Sequence, residues 1–307
     1  MEVQVDRSTT HPIEVVRSYE QLLKESAAEG RYIQINGGHK IHVVEAGKGL
    51  PVVILHGTGN AAYTLLPLLE HLEGVRAIAP DLPGCGLSDP LYIGDKGYRN
   101  WVIEVIDQML DALEVDQISL AGASGGGVWA IWYALANPER VQRLILLTGI
   151  PMLPGTHPPL PLRFYTLPII GALMSRMPAD EKRVVNLMRM MGEGETIVNY
   201  PRIIEAFVAT SNDPLARKAG RAEFSAFMNF LGFRTNMKIG TEDLALLNMP
   251  VLMTWGERDQ LGGEDVARPV SEAIPNCVLE MMPTGHGPWL GYPDKTANLI
   301  QDFVLTR

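Results

Sequence analysis

Short apolar runs alternate along the chain with longer segments in which apolar residues recur at helical spacing. The runs have the length and β-branched composition of buried strands, and the segments between them are amphipathic. The first two strand patterns instead alternate apolar and polar residues, and Gly37-Gly38 separates them, which is typical of a hairpin. Strands that are apolar on both faces indicate a mostly parallel sheet covered by helices. The pattern therefore predicts an α/β fold that begins with an antiparallel hairpin.

The predicted elements follow one another in a regular order. The predicted strands are residues 31–36, 40–45, 52–55, 76–79, 118–121, 144–147, 251–255 and 278–282. The predicted helices are residues 12–28, 61–72, 98–113, 126–136, 183–191, 202–209, 216–233, 266–273 and 294–304.

Residues 151–234 differ from the rest of the chain. Six prolines lie among their first eighteen residues, eight of the fourteen methionines lie between Met152 and Met237, and only helical patterns recur. We predict that this segment is a helical cap, inserted between two parts of an α/β core, residues 1–150 and 235–307. Methionine fills irregular gaps, so these side chains fit either the interior of the cap or the apolar wall of a cleft.

Composition narrows the class of protein. Of the 307 residues, 46% are hydrophobic and 20% are charged, which is typical of a packed globular protein. A net charge of −9 argues against nucleic acid or an anionic membrane as partner, because both bind basic surfaces. Cys85 and Cys277 are too few for a disulfide framework or a metal site and favour a reducing compartment.

The sequence carries no pattern of a targeting or membrane segment. The stretch Met1–Arg7 is polar and lacks the apolar core of a signal peptide. The longest apolar run, residues 164–174, has about half the length of a membrane span. We expect a cytoplasmic protein without a membrane-spanning segment.

One stretch carries a candidate nucleophile at the end of a strand. Gly122-Ala-Ser-Gly-Gly126 joins an apolar strand to a helical pattern and fits G-x-S-x-G. A strand that turns directly into a helix holds the middle side chain clear of the backbone, and small neighbours allow the close approach. The Ser124 hydroxyl is then expected near a helix N-terminus, where N–H groups favour negative charge. A close-packed turn without chemistry is the alternative for this motif alone.

A serine nucleophile needs a base, and the base needs an acid that orients it. Of the seven histidines, His157 and His286 follow Ser124, and His286 lies in a glycine-flanked loop just after a predicted strand. Asp259 follows the neighbouring predicted strand, with Glu257 as the alternative acid. Because the carboxyl ends of parallel strands meet at one sheet edge, we predict a catalytic triad of Ser124, Asp259 and His286.

Acyl transfer also requires donors for the oxyanion, usually two backbone N–H groups. Gly125 directly follows the serine, and His56-Gly-Thr-Gly59 follows an earlier predicted strand. We predict that the N–H groups of Thr58 and Gly125 form the oxyanion hole. His56 is interpreted as structural, because it precedes Ser124 and His286 is the better base.

These motifs together resemble the α/β-hydrolase family, from about residue 32 to residue 303. They are His56-Gly57, Asp81-Leu-Pro-Gly-Cys-Gly-Leu-Ser88, Gly122-Ala-Ser-Gly-Gly126, Gly256-Glu-Arg-Asp259 and Gly285-His286. The resemblance implies an eight-stranded sheet, a cap inserted after the sixth strand, no metal and no organic cofactor. Family members with aspartate at the elbow act as haloalkane dehalogenases or epoxide hydrolases. Ser124 at this position implies an acyl-enzyme instead.

The expected reaction is hydrolysis of a small or medium apolar carboxylic ester or lactone. The apolar preference is inferred from the leucine, methionine, phenylalanine and proline content of the predicted cap. Candidate substrate-binding residues are Phe164, Met188 and Trp289. Trp289 follows His286 by three positions, and packing in the core is its alternative role.

Two other functions stay open. A carbon–carbon bond hydrolase of ring-cleavage keto acids would use the same triad and would need a basic cap residue for the carboxylate. The candidates for that role are Arg163, Arg176, Arg183 and Arg189. A ligand-binding protein on a hydrolase scaffold often lacks the serine or the histidine, whereas this chain retains both. The expected partner is a small molecule, and the sequence does not distinguish a monomer from a homodimer.

Overall fold

The computed structural model describes residues 11–306, so the stretch Met1–Arg7 lies outside the described residues. The strands are β1 (Glu29–Gln34), β2 (Lys40–Gly47), β3 (Leu50–Leu55), β4 (Val75–Pro80), β5 (Ile118–Gly122), β6 (Val141–Leu146), β7 (Met228–Asn229), β8 (Gly232–Phe233), β9 (Val251–Gly256) and β10 (Cys277–Met282). The helices are α1 (Ile13–Glu25), α2 (Leu66–Leu69), α3 (Tyr98–Ala112), α4 (Gly125–Ala136), α5 (Leu160–Tyr165), α6 (Pro168–Arg176), α7 (Glu181–Met190), α8 (Gly194–Ile197), α9 (Pro201–Asn212), α10 (Pro214–Phe227), α11 (Thr241–Leu244), α12 (Glu264–Glu272), α13 (Pro288–Gly291) and α14 (Pro293–Leu305). Short 3-10 turns occupy Asn36–Gly38, Ala62–Leu65 and Thr235–Met237.

Eight strands form one sheet in the order β1-β2-β4-β3-β5-β6-β9-β10. β2 is antiparallel to both of its neighbours, β1 and β4, and every other neighbouring pair in this sheet is parallel. The prediction of a mostly parallel, eight-stranded sheet with an initial hairpin is therefore confirmed.

The sheet has a hydrophobic core on each face. Along β3, Val53 and Leu55 pack in one cluster, with residues of α3 and α4. Val52 and Ile54 pack in the other, with residues of α1 and α14. Successive strand residues point to opposite faces, so a continuous apolar run is what a strand between two helical layers requires.

The strand order reverses at β3, which lies between β4 and β5. Leu55 and Gly122 are register partners at the carboxyl ends of β3 and β5. The loops that follow these two strands are therefore adjacent. Ligands of open α/β sheets bind at this kind of switch point.

Seven helices, α5 to α11, a short hairpin and a 3-10 turn lie between β6 and β9. The predicted helix 216–233 was too long: α10 ends at Phe227, and β7 pairs with β8. Gly232 has φ of 133°, which a right-handed helix does not contain, so the apolar stretch after Phe227 folds back on itself. The apolar run 164–174 is divided between α5 and α6 at Pro168. No helix in the described part of the chain is long and apolar enough to cross a membrane.

The predicted helix 61–72 was also partly wrong. The chain forms a 3-10 turn over Ala62–Leu65 and then only the four-residue α2. All eight of these residues are buried, because this segment packs directly against the sheet core. Continuous burial leaves no polar face, so helical periodicity was a weak guide to the local structure here.

Candidate active site

Ser124 occupies a strained corner between β5 and α4. Its φ is 51° and its ψ is −119°, a conformation that non-glycine residues rarely adopt. A Cβ added to Gly122 would lie 2.4 Å from the carbonyl oxygen of Gly126, so the strand end and the helix start are too close for a side chain. The Ser124 residue remains partly accessible, while its neighbours in the motif are buried.

Asp259 and His286 are in direct contact at the same sheet edge. Asp259 follows β9 and His286 follows β10, and these strands are parallel neighbours. His286 Nδ1 lies 2.7 Å from Asp259 Oδ2. The same oxygen accepts hydrogen bonds from Thr148 Oγ1 and the Gly149 N–H, each at 3.0 Å, and Oδ1 accepts one from the Leu261 N–H at 2.8 Å. The carboxylate is thus held by donors on both of its oxygens.

These donors decide the charge of Asp259. Burial alone would raise the pKa of its carboxyl group, but the charge and hydrogen bond of His286, with hydrogen bonds from Leu261 and Thr148, lower the pKa below its ordinary value. Asp259 is therefore ionised at neutral pH and can only accept from His286. Nδ1 of His286 therefore carries the hydrogen of this contact.

Neither Glu257 nor His157, the other candidates for acid and base, takes part in the Asp259–His286 pair. Glu257 is exposed, and Asp259 is the acid that contacts His286. His157 lies exposed in the loop before α5. Among residues 11–306, no hydrogen bond joins His286 to Ser124 Oγ. Such a bond commonly tightens only when substrate is bound.

The loop after β3 lies against the nucleophile. A Cβ added to Gly57 would lie 3.2 Å from Ser124 Cβ and 3.8 Å from Ser124 Oγ. A Cβ added to Gly125 would lie 2.0 Å from Thr58 Oγ1 and 3.1 Å from Thr58 N. Only glycine fits at position 125, and the backbone N–H of Thr58 lies next to this glycine. The loop that carries Thr58 and the first turn of α4 are therefore in close contact.

His56 holds the base of this loop. Its ring is fully buried, and Nδ1 lies 2.9 Å from the Gly57 carbonyl oxygen while Nε2 accepts from the Leu82 N–H at 2.9 Å. Burial lowers the pKa of His56, despite the raising effects of the Asp81 charge and the Gly57 carbonyl. A neutral ring with both nitrogens occupied fits the structural role that the sequence suggested.

Asp81 forms another buried pair with a histidine, apart from the Asp259–His286 pair. Its carboxylate lies 2.9 Å from His42 Nδ1 and accepts from Tyr19 Oη and from the N–H groups of Ala62 and Leu87. Burial would raise the pKa of Asp81, but these partners lower it, His42 foremost. Asp81 therefore anchors the loop after β4.

An acid that the sequence did not indicate contacts the loop that carries Thr58. Glu223 of α10 accepts hydrogen bonds at Oε1 from Thr58 Oγ1 and Tyr98 Oη, each at 3.1 Å. Burial of the carboxyl raises the pKa of Glu223 to about 7, although hydrogen bonds from Tyr98, Thr58 and the Gly59 backbone lower it. The available signal was weak: Glu223 is the sole acid in the sequence of α10, which carries three basic residues.

A second acid that the sequence did not indicate contacts the loop that carries His286. The buried Glu193, between α7 and α8, accepts a hydrogen bond from the Gly287 N–H at 2.9 Å. The His286 N–H donates to the nearby Met191 carbonyl at 2.8 Å. Burial raises the pKa of Glu193, although the Gly287 hydrogen bond and the charge of His286 act in the opposite direction. Nothing in the local sequence pattern indicated this contact.

Two of the three predicted substrate-binding residues share a hydrophobic cluster, and the third lies at the surface. Trp289 and Met188 are buried in the same hydrophobic cluster, and Trp289 Nε1 donates to the Thr64 carbonyl at 2.8 Å. Phe164 is exposed and contacts the ring of Phe230 at a centroid distance of 5.3 Å. These contacts favour the core alternative for Trp289. Within residues 11–306, no group of three or more histidine, cysteine or acidic side chains is arranged to hold a metal ion.

Comparison with known proteins identifies relatives with this fold. Residues 51–188 match the family model for the alpha/beta hydrolase fold. The chain is 35% identical over 268 residues to a cis-3-alkyl-4-alkyloxetan-2-one decarboxylase of Shewanella oneidensis, covering 83% of this chain and 82% of the relative. It is 27% identical over 293 residues to 2-hydroxy-6-oxononadienedioate/2-hydroxy-6-oxononatrienedioate hydrolase 1 of Dechloromonas aromatica, covering 91% and 96%. The structure of carboxylesterase CesB from Bacillus subtilis is similar with a TM-score of 0.74 and 19% identity, covering 95% and 97%.

Proposed function

Since this chain belongs to the α/β-hydrolase family, we propose that it cleaves apolar carboxylic esters or lactones through an acyl-enzyme on Ser124. One observation carries this proposal. The strained serine, the Thr58 loop and the Asp259–His286 pair all lie at the carboxyl edge of one parallel sheet. A nucleophile, a base with its orienting acid and two oxyanion donors are what acyl transfer requires.

In the proposed reaction, Ser124 Oγ attacks the carbonyl carbon while His286 Nε2 takes the hydroxyl proton. Asp259 stabilises the resulting imidazolium, and the N–H groups of Thr58 and Gly125 bind the oxyanion. The tetrahedral intermediate collapses as His286 returns the proton to the leaving oxygen, which departs as an alcohol or, from a lactone, stays attached to the acyl group. Water, deprotonated by His286, then attacks the acyl-enzyme and frees the acid.

Two observations favour an uncharged, apolar substrate. The relative with 35% identity is named for an alkyl-substituted oxetan-2-one, which is a four-membered cyclic ester. Beside the oxyanion loop of this chain lies an acid, Glu223, which would repel a carboxylate close to the scissile carbonyl whenever it is ionised.

We further propose that residues 151–234 act as a cap over the site. Two carboxyl groups of this segment support the proposal, because each contacts a loop that carries a proposed catalytic group. Glu223 accepts from the Thr58 hydroxyl, and Glu193 accepts from the Gly287 backbone next to His286. A movement of the segment would therefore alter both loops.

Carbon–carbon bond hydrolysis of a keto acid is the second candidate. Its support is the similarity, over 91% of this chain, to a hydrolase named for a hydroxy-oxo-dioate substrate. The predicted carboxylate-binding arginines do not add to it: Arg176, Arg183 and Arg189 are exposed, and Arg163 Nε donates to the Pro158 carbonyl at 3.0 Å.

A substrate series tests the choice between these reactions. We would measure kcat/KM for p-nitrophenyl esters of increasing acyl length, the p-nitrophenyl hemisuccinate, alkyl-substituted lactones followed by proton release, and a coloured dienol keto acid. Ser124→Ala supplies the background rate. The proposal predicts the highest values for uncharged esters or lactones and poor turnover of the hemisuccinate. A keto acid cleaved faster than every ester and lactone would overturn the ester assignment.

A further inference from the structure

The carboxyl of Glu223 connects α10 to both sides of the proposed oxyanion hole. On one side it accepts from Thr58 Oγ1. On the other it accepts from Tyr98 Oη, and Tyr98 Oη in turn accepts from Trp129 Nε1 at 3.0 Å. Trp129 belongs to α4, whose first residue is Gly125. The chain of hydrogen bonds thus reaches the loop of one oxyanion donor and the helix of the other.

Close packing keeps α10 against these loops. A Cβ added to Gly220 would lie 3.6 Å from Gly59 Cα, and one added to Gly59 would lie 3.5 Å from Phe224 Cε2. A Cβ added to Gly84 would lie 2.5 Å from Ala219 Cβ. The helix backbone therefore lies directly on the loops after β3 and β4. The Glu223 residue is partly accessible, but its carboxyl group is enclosed by protein atoms.

Glu223 is the group of this cluster that changes charge near neutral pH. The titratable groups facing it are Tyr98 from α3 and Cys85 from the loop after β4. Burial, together with the charge of Glu223, raises the pKa of each well above its ordinary value, so both stay neutral. No lysine, arginine or histidine of the described residues is among the groups that shift the pKa of Glu223.

We propose that Glu223 is a positioning residue of the oxyanion hole that works in its uncharged form, and that its ionisation slows acyl transfer at Ser124. The inference rests on the proposed function. An uncharged carboxyl accepts the Thr58 and Tyr98 hydrogen bonds at its carbonyl oxygen and holds the loop. A carboxylate makes the same bonds but adds a negative charge beside the site where the oxyanion develops, which raises the barrier.

The pH dependence of kcat/KM tests this role. We would compare the native protein with Glu223→Gln, from about pH 5.5 to about pH 9.5, on the best ester found. Glutamine keeps an acceptor for Thr58 but stays neutral throughout. We expect equal rates at the acidic end. In the native protein we expect kcat/KM to decline at alkaline pH, because Glu223 ionises. The variant lacks this decline, so we expect it to be faster by about tenfold at the alkaline end.

Two further variants make the test decisive. Glu223→Met is also neutral but accepts hydrogen bonds only weakly, so we expect a lower rate at every pH and again no alkaline decline. Glu181→Gln changes an exposed acid of α7 and should leave the native profile unchanged. Thermal unfolding of each variant confirms that it is folded. If both neutral variants kept the native alkaline decline, the inference would be wrong.

Covalent labelling distinguishes a wrong role for Glu223 from a wrong proposed function. We would measure the rate of fluorophosphonate attack at Ser124 over the same pH range, because this reaction uses the same base and the same oxyanion donors. Rapid labelling that declines equally in the native protein and Glu223→Gln would refute the role of Glu223 and leave the proposed function intact. Absence of labelling in the native protein at every pH would refute both.

Discussion

The sheet edge and the inserted helical segment both bring carboxyl groups to the candidate site, but with opposite electrostatics. Asp259, at the end of β9, lies among donors and next to a histidine, which lower the pKa of its carboxyl. Glu223 and Glu193, from the inserted segment, are dominated by burial, which raises the pKa of each. The sheet therefore supplies a fixed charge, whereas the inserted segment supplies carboxyls whose pKa values are raised by burial, in Glu223 to about 7.

This difference has a structural origin. Loops after parallel strands present backbone N–H groups at one edge, and Asp259 accepts from two of them. A helix interior presents no free N–H groups, because its own carbonyls use them. Glu223, on such a helix, accepts hydrogen bonds from two side-chain hydroxyls and from the Gly59 backbone, and none of these donors is charged. Neutral hydroxyl donors stabilise a carboxylate less than a cationic partner does, so burial prevails.

Replacing Asp259, which carries the fixed charge at the sheet edge, should have the largest effect on activity. Asp259→Asn keeps the shape of the side chain but lets it donate to His286 Nδ1, which reverses the histidine tautomer. We expect kcat/KM for the best ester to fall about ten-thousandfold, with little change in the far-ultraviolet circular dichroism spectrum. Glu257→Gln, two residues away and exposed, is the matched control and should retain native activity. A small loss in Asp259→Asn, with a large one in the control, would remove Asp259 from the triad.

Filling the space between the two proposed oxyanion donors, Thr58 and Gly125, should have the next largest effect on activity. Gly125→Ala would place a methyl group 2.0 Å from Thr58 Oγ1 and 3.1 Å from Thr58 N, so Thr58 must shift. We expect kcat/KM to fall at least about a hundredfold, as loss of one oxyanion donor does elsewhere. The control is Gly94→Ala, because a Cβ there meets nothing within 4 Å. Equal activity in the two variants would contradict the assigned position of the hole.

The smallest effect is expected at Glu193, and it concerns stability. The pKa of Glu193 is raised in the folded protein, so the folded state binds its proton more tightly than the unfolded chain does. Native stability therefore loses a contribution as the pH rises above the ordinary glutamate pKa. Glu193→Gln keeps an acceptor for the Gly287 N–H but cannot ionise. The Tm of the variant, relative to native, should rise between about pH 5 and about pH 8 by a few degrees.

Scanning calorimetry of both proteins in matched buffers measures this difference. Glu195→Gln, on the exposed side of α8, provides the control and should show a constant difference in Tm. If the Tm of Glu193→Gln relative to native fell with rising pH, the pKa of Glu193 would be lowered on folding rather than raised. Glu193 would then belong with Asp259 rather than with Glu223, and the contrast between the two regions would be lost.

The sequence predicted the sheet edge better than it predicted the contacts of the inserted segment. The sheet and the His286–Asp259 contact were predictable, because apolar strand runs locate the strand ends and parallel strands place the next loop residues at one edge. The contacts of Glu223 and Glu193 were not, because helical periodicity does not say which loop of the core an inserted helix faces. The segment 61–72 and the end of α10 were misjudged for a local reason. Continuous burial in the first and a glycine turn in the second override helical spacing.

The most direct test of the central claim is fluorophosphonate labelling of the native protein, mapped by mass spectrometry and compared with Ser124→Ala. The account predicts one modified residue, Ser124, with labelling and ester hydrolysis both lost in the variant. Modification of another residue, or hydrolysis that persists in Ser124→Ala, would contradict an acyl-enzyme at the strained corner between β5 and α4.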